Sequence, residues 1–174
     1  MCQDCHVLQA SAKNLDYFTL FNLTEKYHQL DQKLLNKTYR RLSRDVHPDF
    51  NQQDIELSQE LTSYLNMAYQ TLSDRGACLE YALHQQGGAT AAEDKTTDKS
   101  FLINMMEFQE RIENCNTEEL KSQIETELLS IQSECYFNAE KKIDDLLIAE
   151  ARQSLNSASY CRRLLNNLKE SADE

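Results

Sequence analysis

Apolar residues recur along most of this 174-residue chain at spacings of three and four, the period of an α-helix buried on one face. The clearest case is Leu35, Tyr39, Leu42 and Val46, which follow Asp31, a residue type that caps helix N-termini. This spacing predicts a helix over residues 32–46. A longer helix is expected over Asp54–Ser73, with Leu57, Leu61, Leu65, Ala68 and Leu72 on its inner face. Two long helices joined by a tight connection pack antiparallel. Asp16 can cap a short helix through about Asn22 that buries Tyr17, Phe18 and Phe21. Another short helix, about Arg75–His84, carries Leu79 and Leu83. Residues 1–15 show no period and are expected to form a flexible tail.

The pattern stops at Gly87, a residue suited to a helix C-terminus. From there to Thr97 no large apolar residue occurs, so residues 87–98 read as a linker. Three helical patterns follow. The first, about residues 99–114, has the stripe Phe101, Met105, Phe108 and Ile112. The second starts after Thr117, with Glu118 and Glu119 in its first turn, and uses Leu120, Ile124, Leu128, Ile131 and Cys135. The third uses Leu147, Ala151, Leu155, Ala158, Leu165 and Leu168. The expected fold is all-α, a helical hairpin domain over 16–86 and a three-helix bundle over 99–174.

Composition supports this. Three glycines and one proline leave little punctuation for hairpins and strands. No apolar run approaches the roughly 18 residues of a membrane span. No signal-peptide pattern opens the chain, and Lys13 is the one basic residue before Asp16, so no transit peptide is read there. A net charge of −11 argues against a general nucleic-acid binder. Against that acidic background, Asp31–Val46 holds five basic and two acidic residues. Lys33, Lys37, Arg40, Arg41 and Arg44 cluster within roughly 100° of the helix surface, nearly opposite its apolar stripe. Such a stripe can orient a partner of opposite charge; alone, it would be an ordinary solvated face.

Directly after this helix come His47, Pro48 and Asp49, and Pro48 is the only proline in the chain. Proline pushes the preceding residue to an extended backbone, so the helix is expected to stop at about Val46. His47 and Asp49 then project from a stiff turn beside a cationic face. No nucleophile motif accompanies them, which argues against a catalytic dyad.

Tyr17-Phe18-x-Leu20, the basic helix, His47-Pro48-Asp49 and Asn66-x-Ala68-Tyr69-x-x-Leu72-x-Asp74 together resemble a J-domain over about residues 16–75. The resemblance implies a co-chaperone, not an enzyme, that docks on a DnaK-type chaperone and stimulates its ATPase. His47, Pro48 and Asp49 would be the stimulating tripeptide and the basic face the docking surface. Asp16-Tyr17-Phe18-Thr19-Leu20-Phe21, and Phe101-Leu102-Ile103-Asn104-Met105-Met106-Glu107 soon after the linker, are similar to the HscB-type iron–sulfur co-chaperones. That family's C-terminal bundle binds the iron–sulfur scaffold protein and presents it to the chaperone for cluster transfer. Many J-domains have lysine after His-Pro-Asp; Phe50 stands there here, which resembles the mitochondrial animal branch. The implied compartment is the mitochondrial matrix, with the cytoplasm as the alternative.

Leu102, Ile103 and Met106 add apolar surface beyond the stripe that a bundle needs. They read either as an exposed interaction patch or as a wide core face. The resemblance assigns Leu102, Ile103, Met106, Glu107 and Glu110 to scaffold contact, with Tyr160 on the last helix joining the same surface. The six cysteines suggest no disulfide framework. Cys2-Gln3-Asp4-Cys5-His6 formally matches a haem attachment site, with nothing else cytochrome-like beside it. Cys2 and Cys5 supply two of the four ligands that zinc requires. They read as half of a zinc site that needs ligands from elsewhere, or as a remnant. No cofactor is required by the reading.

Overall fold

The computed structural model describes residues 10–23 and 30–170. Those residues form seven α-helices and no strand: α1 Tyr17–Leu20, α2 Gln32–Val46, α3 Ile55–Ser73, α4 Arg75–Gln85, α5 Lys99–Glu113, α6 Glu118–Asp144 and α7 Ile148–Glu170. The chain divides into two compact units, Met1–Cys78 and Leu79–Glu174.

In the first unit, α2 and α3 pack against one another around Leu35, Val46, Leu61, Leu65, Ala68 and Leu72. The expected caps at Asp16 and Asp31 are present, and Asp54, expected as the first helical residue, is a third. The Asp31 carboxylate accepts from the amides of Lys33 and Leu34 at 2.8 and 3.2 Å, and Asp54 accepts from Leu57 at 3.3 Å. Two tyrosines brace the hairpin. Tyr39 and Tyr69 stack with ring centroids 4.0 Å apart. Tyr39 donates to Asn66 Oδ1 at 2.8 Å and Tyr69 to Asn36 Oδ1 at 2.6 Å. Both phenol groups are thus satisfied while their rings fill the seam.

Three expectations need correction here. The first helix ends at Leu20, not near Asn22, because Asn22 adopts a left-handed φ of 53°; the Leu23 amide then turns back to the Phe18 carbonyl at 2.8 Å. Part of the supposed tail is folded: Ala10–Asn14 makes a 3₁₀ turn, Ala12 packs on the core, Lys13 pairs with Glu60, and the Tyr64 hydroxyl donates to the Leu15 carbonyl. Finally, the units divide within α4 rather than after residue 86, because Cys78 belongs to the first core while Glu80 is tied to α7.

In the second unit, Met105, Phe108, Ile112, Ile124, Leu128, Cys161, Leu164, Leu165 and Leu168 form the core of the α5–α6–α7 bundle. Asp98 caps α5 through the amides of Ser100 and Phe101 at 2.8 and 3.0 Å, and Thr117 caps α6 through Leu120 at 3.3 Å. Arg111 and Glu127 join α5 to α6 with two parallel bonds of 2.7 and 2.9 Å. The paired guanidinium holds the Glu127 carboxyl below its ordinary range and lifts Arg111 above its own.

The segment expected to be a linker is strapped to α7. Arg152, only 1% exposed, makes a bidentate pair with Glu80 and also donates to the Ala89 carbonyl at 3.4 Å. Its Nε donates to Asn156 Oδ1 at 3.0 Å, and Asn156 Nδ2 donates to the carbonyls of Asp94 and Thr96 at 3.0 and 2.9 Å. A segment with no large apolar side chain is therefore held by its backbone carbonyls. Leu147 also departs from expectation: it precedes α7 and is 44% exposed rather than part of the buried stripe.

Candidate functional site

The first candidate site begins where α2 ends. Pro48 fixes its own φ and forces His47 to an extended ψ of 135°, so the helix stops at Val46 as the sequence predicts. Pro48–Phe50 then forms one 3₁₀ turn. The turn is braced on both sides. Asn51 Nδ2 donates to the carbonyls of Asp45 and His47 at 3.0 and 2.9 Å. The Val46 carbonyl, left over at the helix end, accepts from Ser58 and, at 3.5 Å, from Thr62 on α3. Neither Ser58 nor Asn51 stood out in the sequence. Their signal was the need of the last carbonyls of α2 for donors.

On this frame His47 and Asp49 stand clear of the core, with side chains 49% and 82% exposed. His47 Nδ1 accepts the Asp49 amide at 3.1 Å. In the neutral ring the proton therefore sits on Nε2. The Asp49 carboxylate lies 3.5 Å from the same Nδ1. Phe50 is 73% exposed, and its ring meets that of His47 edge-on at 6.0 Å.

The expected cationic face is assembled beside this turn. Lys33, Lys37, Arg40, Arg41 and Arg44 are all exposed. With Asn36 they line an open groove of about 410 Å³. Among the described residues, Arg41 alone of the five has an acidic partner, Asp45 at 3.6 Å. The groove thus offers its charges to an outside anion, and at physiological salt their attraction reaches about 8 Å before it is largely screened.

The second candidate site lies on α5. Met105, Phe108 and Ile112 are buried and Phe101 packs against them. Ile103 and Met106 are 61% and 66% exposed, Leu102 is half-buried, and Glu107 and Glu110 are exposed. Tyr160 on α7 is half-buried, with the Arg163 guanidinium 4.1 Å above its ring. Its neighbour Cys161 lies 3.9 Å from Met105, sulfur to sulfur, which sets Tyr160 at the level of Met105 and Met106. Ile103 and Met106 are therefore surface, not a wide core face.

Cys2 and Cys5 lie outside the described residues. Among the described residues no three His, Cys, Asp or Glu side chains cluster as metal ligands. No described helix is long and apolar enough to cross a membrane.

A helical hairpin with an exposed His-Pro-Asp turn, followed by a three-helix bundle, defines the class, and comparison with known proteins agrees. Residues 16–81 match the DnaJ domain and residues 97–169 the HSCB C-terminal oligomerisation domain. The co-chaperone protein HscB homolog of Shewanella frigidimarina is 33% identical over 86% of this chain and 89% of its own. The iron-sulfur cluster co-chaperone protein HscB of mouse is 28% identical over 97% of this chain and 74% of its own. The crystal structure of human co-chaperone protein HscB superposes with a TM-score of 0.88 at 27% identity, covering 99% of this chain and 89% of that one.

The chain belongs to the HscB co-chaperone family. Identity to the mammalian relatives is no higher than to this bacterial one, so the animal branch that Phe50 pointed to is not singled out.

Proposed function

We propose that this chain is a co-chaperone of iron–sulfur cluster assembly that recruits a DnaK-type chaperone, stimulates its ATPase and delivers a scaffold protein to it. His47, Pro48 and Asp49 act as the stimulating group. Lys33, Lys37, Arg40, Arg41 and Arg44 attract and orient an acidic face of the chaperone. The observation that carries the reading is the braced, exposed His-Pro-Asp turn at the end of a cationic helix. Complementary charge speeds and orients the encounter, and a turn that does not have to be ordered on docking adds specificity at low entropic cost.

Leu102, Ile103, Met106, Glu107, Glu110 and Tyr160 hold the scaffold. Two exposed apolar side chains flanked by carboxylates suit an apolar surface bordered by cations. The reading carries a compartment with it, the mitochondrial matrix, with the cytoplasm as the alternative. Single-turnover ATP hydrolysis by the chaperone tests the whole. The chain should accelerate it, and added scaffold should accelerate it further. No acceleration overturns the proposal; acceleration indifferent to the scaffold assigns the bundle to another client.

A further inference from the structure

The buried sulfur cluster in the bundle has no part in either docking site. No described cysteine is in a disulfide, and two of them, Cys135 on α6 and Cys161 on α7, face one another. The helix register places them so. α6 and α7 run antiparallel along most of their length. Lys142 on α6 meets Ser154 on α7 at 3.1 Å. Two turns back along α6 is Cys135, and two turns forward along α7 is Cys161. Gln132 reaching the Ala158 carbonyl at 3.3 Å brackets the same level. The seam carries small buried residues, Ala139, Ala151, Ser154 and Ala158. Small side chains let helix axes approach closely, which a disulfide needs, since it spans Cα atoms about 4.4–6.8 Å apart.

The two thiols differ in the way an oxidisable pair requires. Cys135 is half-buried and Cys161 is fully buried. The Cys161 S–H lies between two sulfur acceptors, Cys135 and, at 3.9 Å, Met105. Its hydrogen bond to Cys135 holds that thiol below its ordinary range, while Cys161, the donor, is pushed well above it. The accessible sulfur is therefore the better nucleophile and the buried one keeps its proton.

We propose that Cys135 and Cys161 are a reversible oxidative modification site, closed to an intramolecular disulfide between α6 and α7 by hydrogen peroxide. The Cys135 thiolate attacks one peroxide oxygen; the O–O bond breaks, hydroxide leaves, and Cys135 becomes a sulfenic acid. The Cys161 sulfur then attacks the Cys135 sulfur. The S–O bond breaks, the departing hydroxide takes the Cys161 proton, and water leaves. Two thiols and one peroxide yield one disulfide and two waters. The closed pair fixes α6 to α7 beside Met105 and reopens by exchange with a small thiol.

The test uses the reduced full chain and hydrogen peroxide in small molar excess, quenched by alkylation and read by peptide mass spectrometry. The expected product is a peptide pair joining Cys135 to Cys161, reversed by dithiothreitol. Cys135 should be consumed faster than Cys115, because the Cys161 thiol beside it favours the Cys135 thiolate. In Cys161→Ser, dimedone should trap sulfenic acid on Cys135, because the resolving thiol is gone. Equal consumption of Cys135 and Cys115, or a disulfide drawn from Cys2, Cys5, Cys78 or Cys115 instead, would overturn the proposal. The wild-type peptide map decides this even if the variant folds poorly.

Discussion

His47 and Met106 are both exposed, but they reach the surface by different routes. His47 is exposed because its own sequence neighbourhood bends the backbone outward: Pro48 ends α2, and the freed carbonyls are taken up by Asn51, Ser58 and Thr62. Met106 sits in an unbroken helix and is exposed only because α6 and α7 cover the other side of α5. The first site is thus a property of the chain and the second a property of the packing. Damage to the bundle should abolish the second site, while damage to the turn should leave the bundle standing.

The sharpest way to break this contrast is to truncate two adjacent methionines. Met105→Ala removes a side chain that is 4% exposed and should destabilise the bundle by about 2–5 kcal/mol. Met106→Ala, at 66% exposure, should stay within about 0.5 kcal/mol. Together with Ile103→Ala it should still weaken scaffold affinity about tenfold or more, since one interface anchor is worth about 1–2 kcal/mol. Urea melts and a scaffold titration separate the two effects. A similar loss of stability from both methionines would mean that the exposed face is core.

Arg152→Ala comes next. It leaves Glu80 without its partner and frees Asn156 and the carbonyl of Ala89 from their shared guanidinium. Glu80 is partly solvated, so the expected cost is about 2–4 kcal/mol rather than the full penalty of a stranded buried charge. Urea unfolding with amide exchange across residues 89–96 measures both the loss and its location. Unchanged protection there would mean that the strap does not hold the segment.

Much of the fold was legible because it is written in local signals. Asp16, Asp31 and Thr117 cap as their residue types predict, and the stripes through Leu35 and Leu61 bury as their spacing predicts. The His-Pro-Asp turn was legible for the same reason. What could not be read was set by distant partners. Nothing near Arg152 in sequence shows that Glu80 lies beside it, so residues 87–98 read as a free linker. Residues 10–15 lack an apolar period because they dock by single contacts to Glu60 and Tyr64, not by a stripe. Leu147 fits the spacing of α7 but falls in the turn before it, where the chain reverses.

That turn yields the smallest effect. α4 ends at Gln85 and Gly87 follows in the left-handed region, with φ 79°; the amides of Gly87 and Gly88 return to the carbonyls of His84 and Leu83 at 2.9 and 3.0 Å. A Cβ on Gly88 would lie 2.5 Å from Leu83 Cγ. α6 ends with the same hydrogen-bond pattern, from Leu146 and Leu147 to Ile143 and Lys142 at 3.2 and 2.8 Å, but a leucine at φ 59° fills the place of Gly87. Left-handed backbone costs a non-glycine residue about 1 kcal/mol. Gly87→Ala should therefore destabilise, and Leu146→Gly should stabilise, each by up to about 1 kcal/mol in urea melts. A destabilised Leu146→Gly would show that this 70% exposed leucine has a packing role.

The central claim is that the proposed stimulation depends on the turn. Its most direct test is His47→Gln, assayed by single-turnover chaperone ATP hydrolysis alongside a urea melt and a scaffold titration on the same preparation. The account predicts that stimulation is lost, with the melt unchanged within about 0.5 kcal/mol and scaffold affinity intact. Normal stimulation by the folded variant would contradict it.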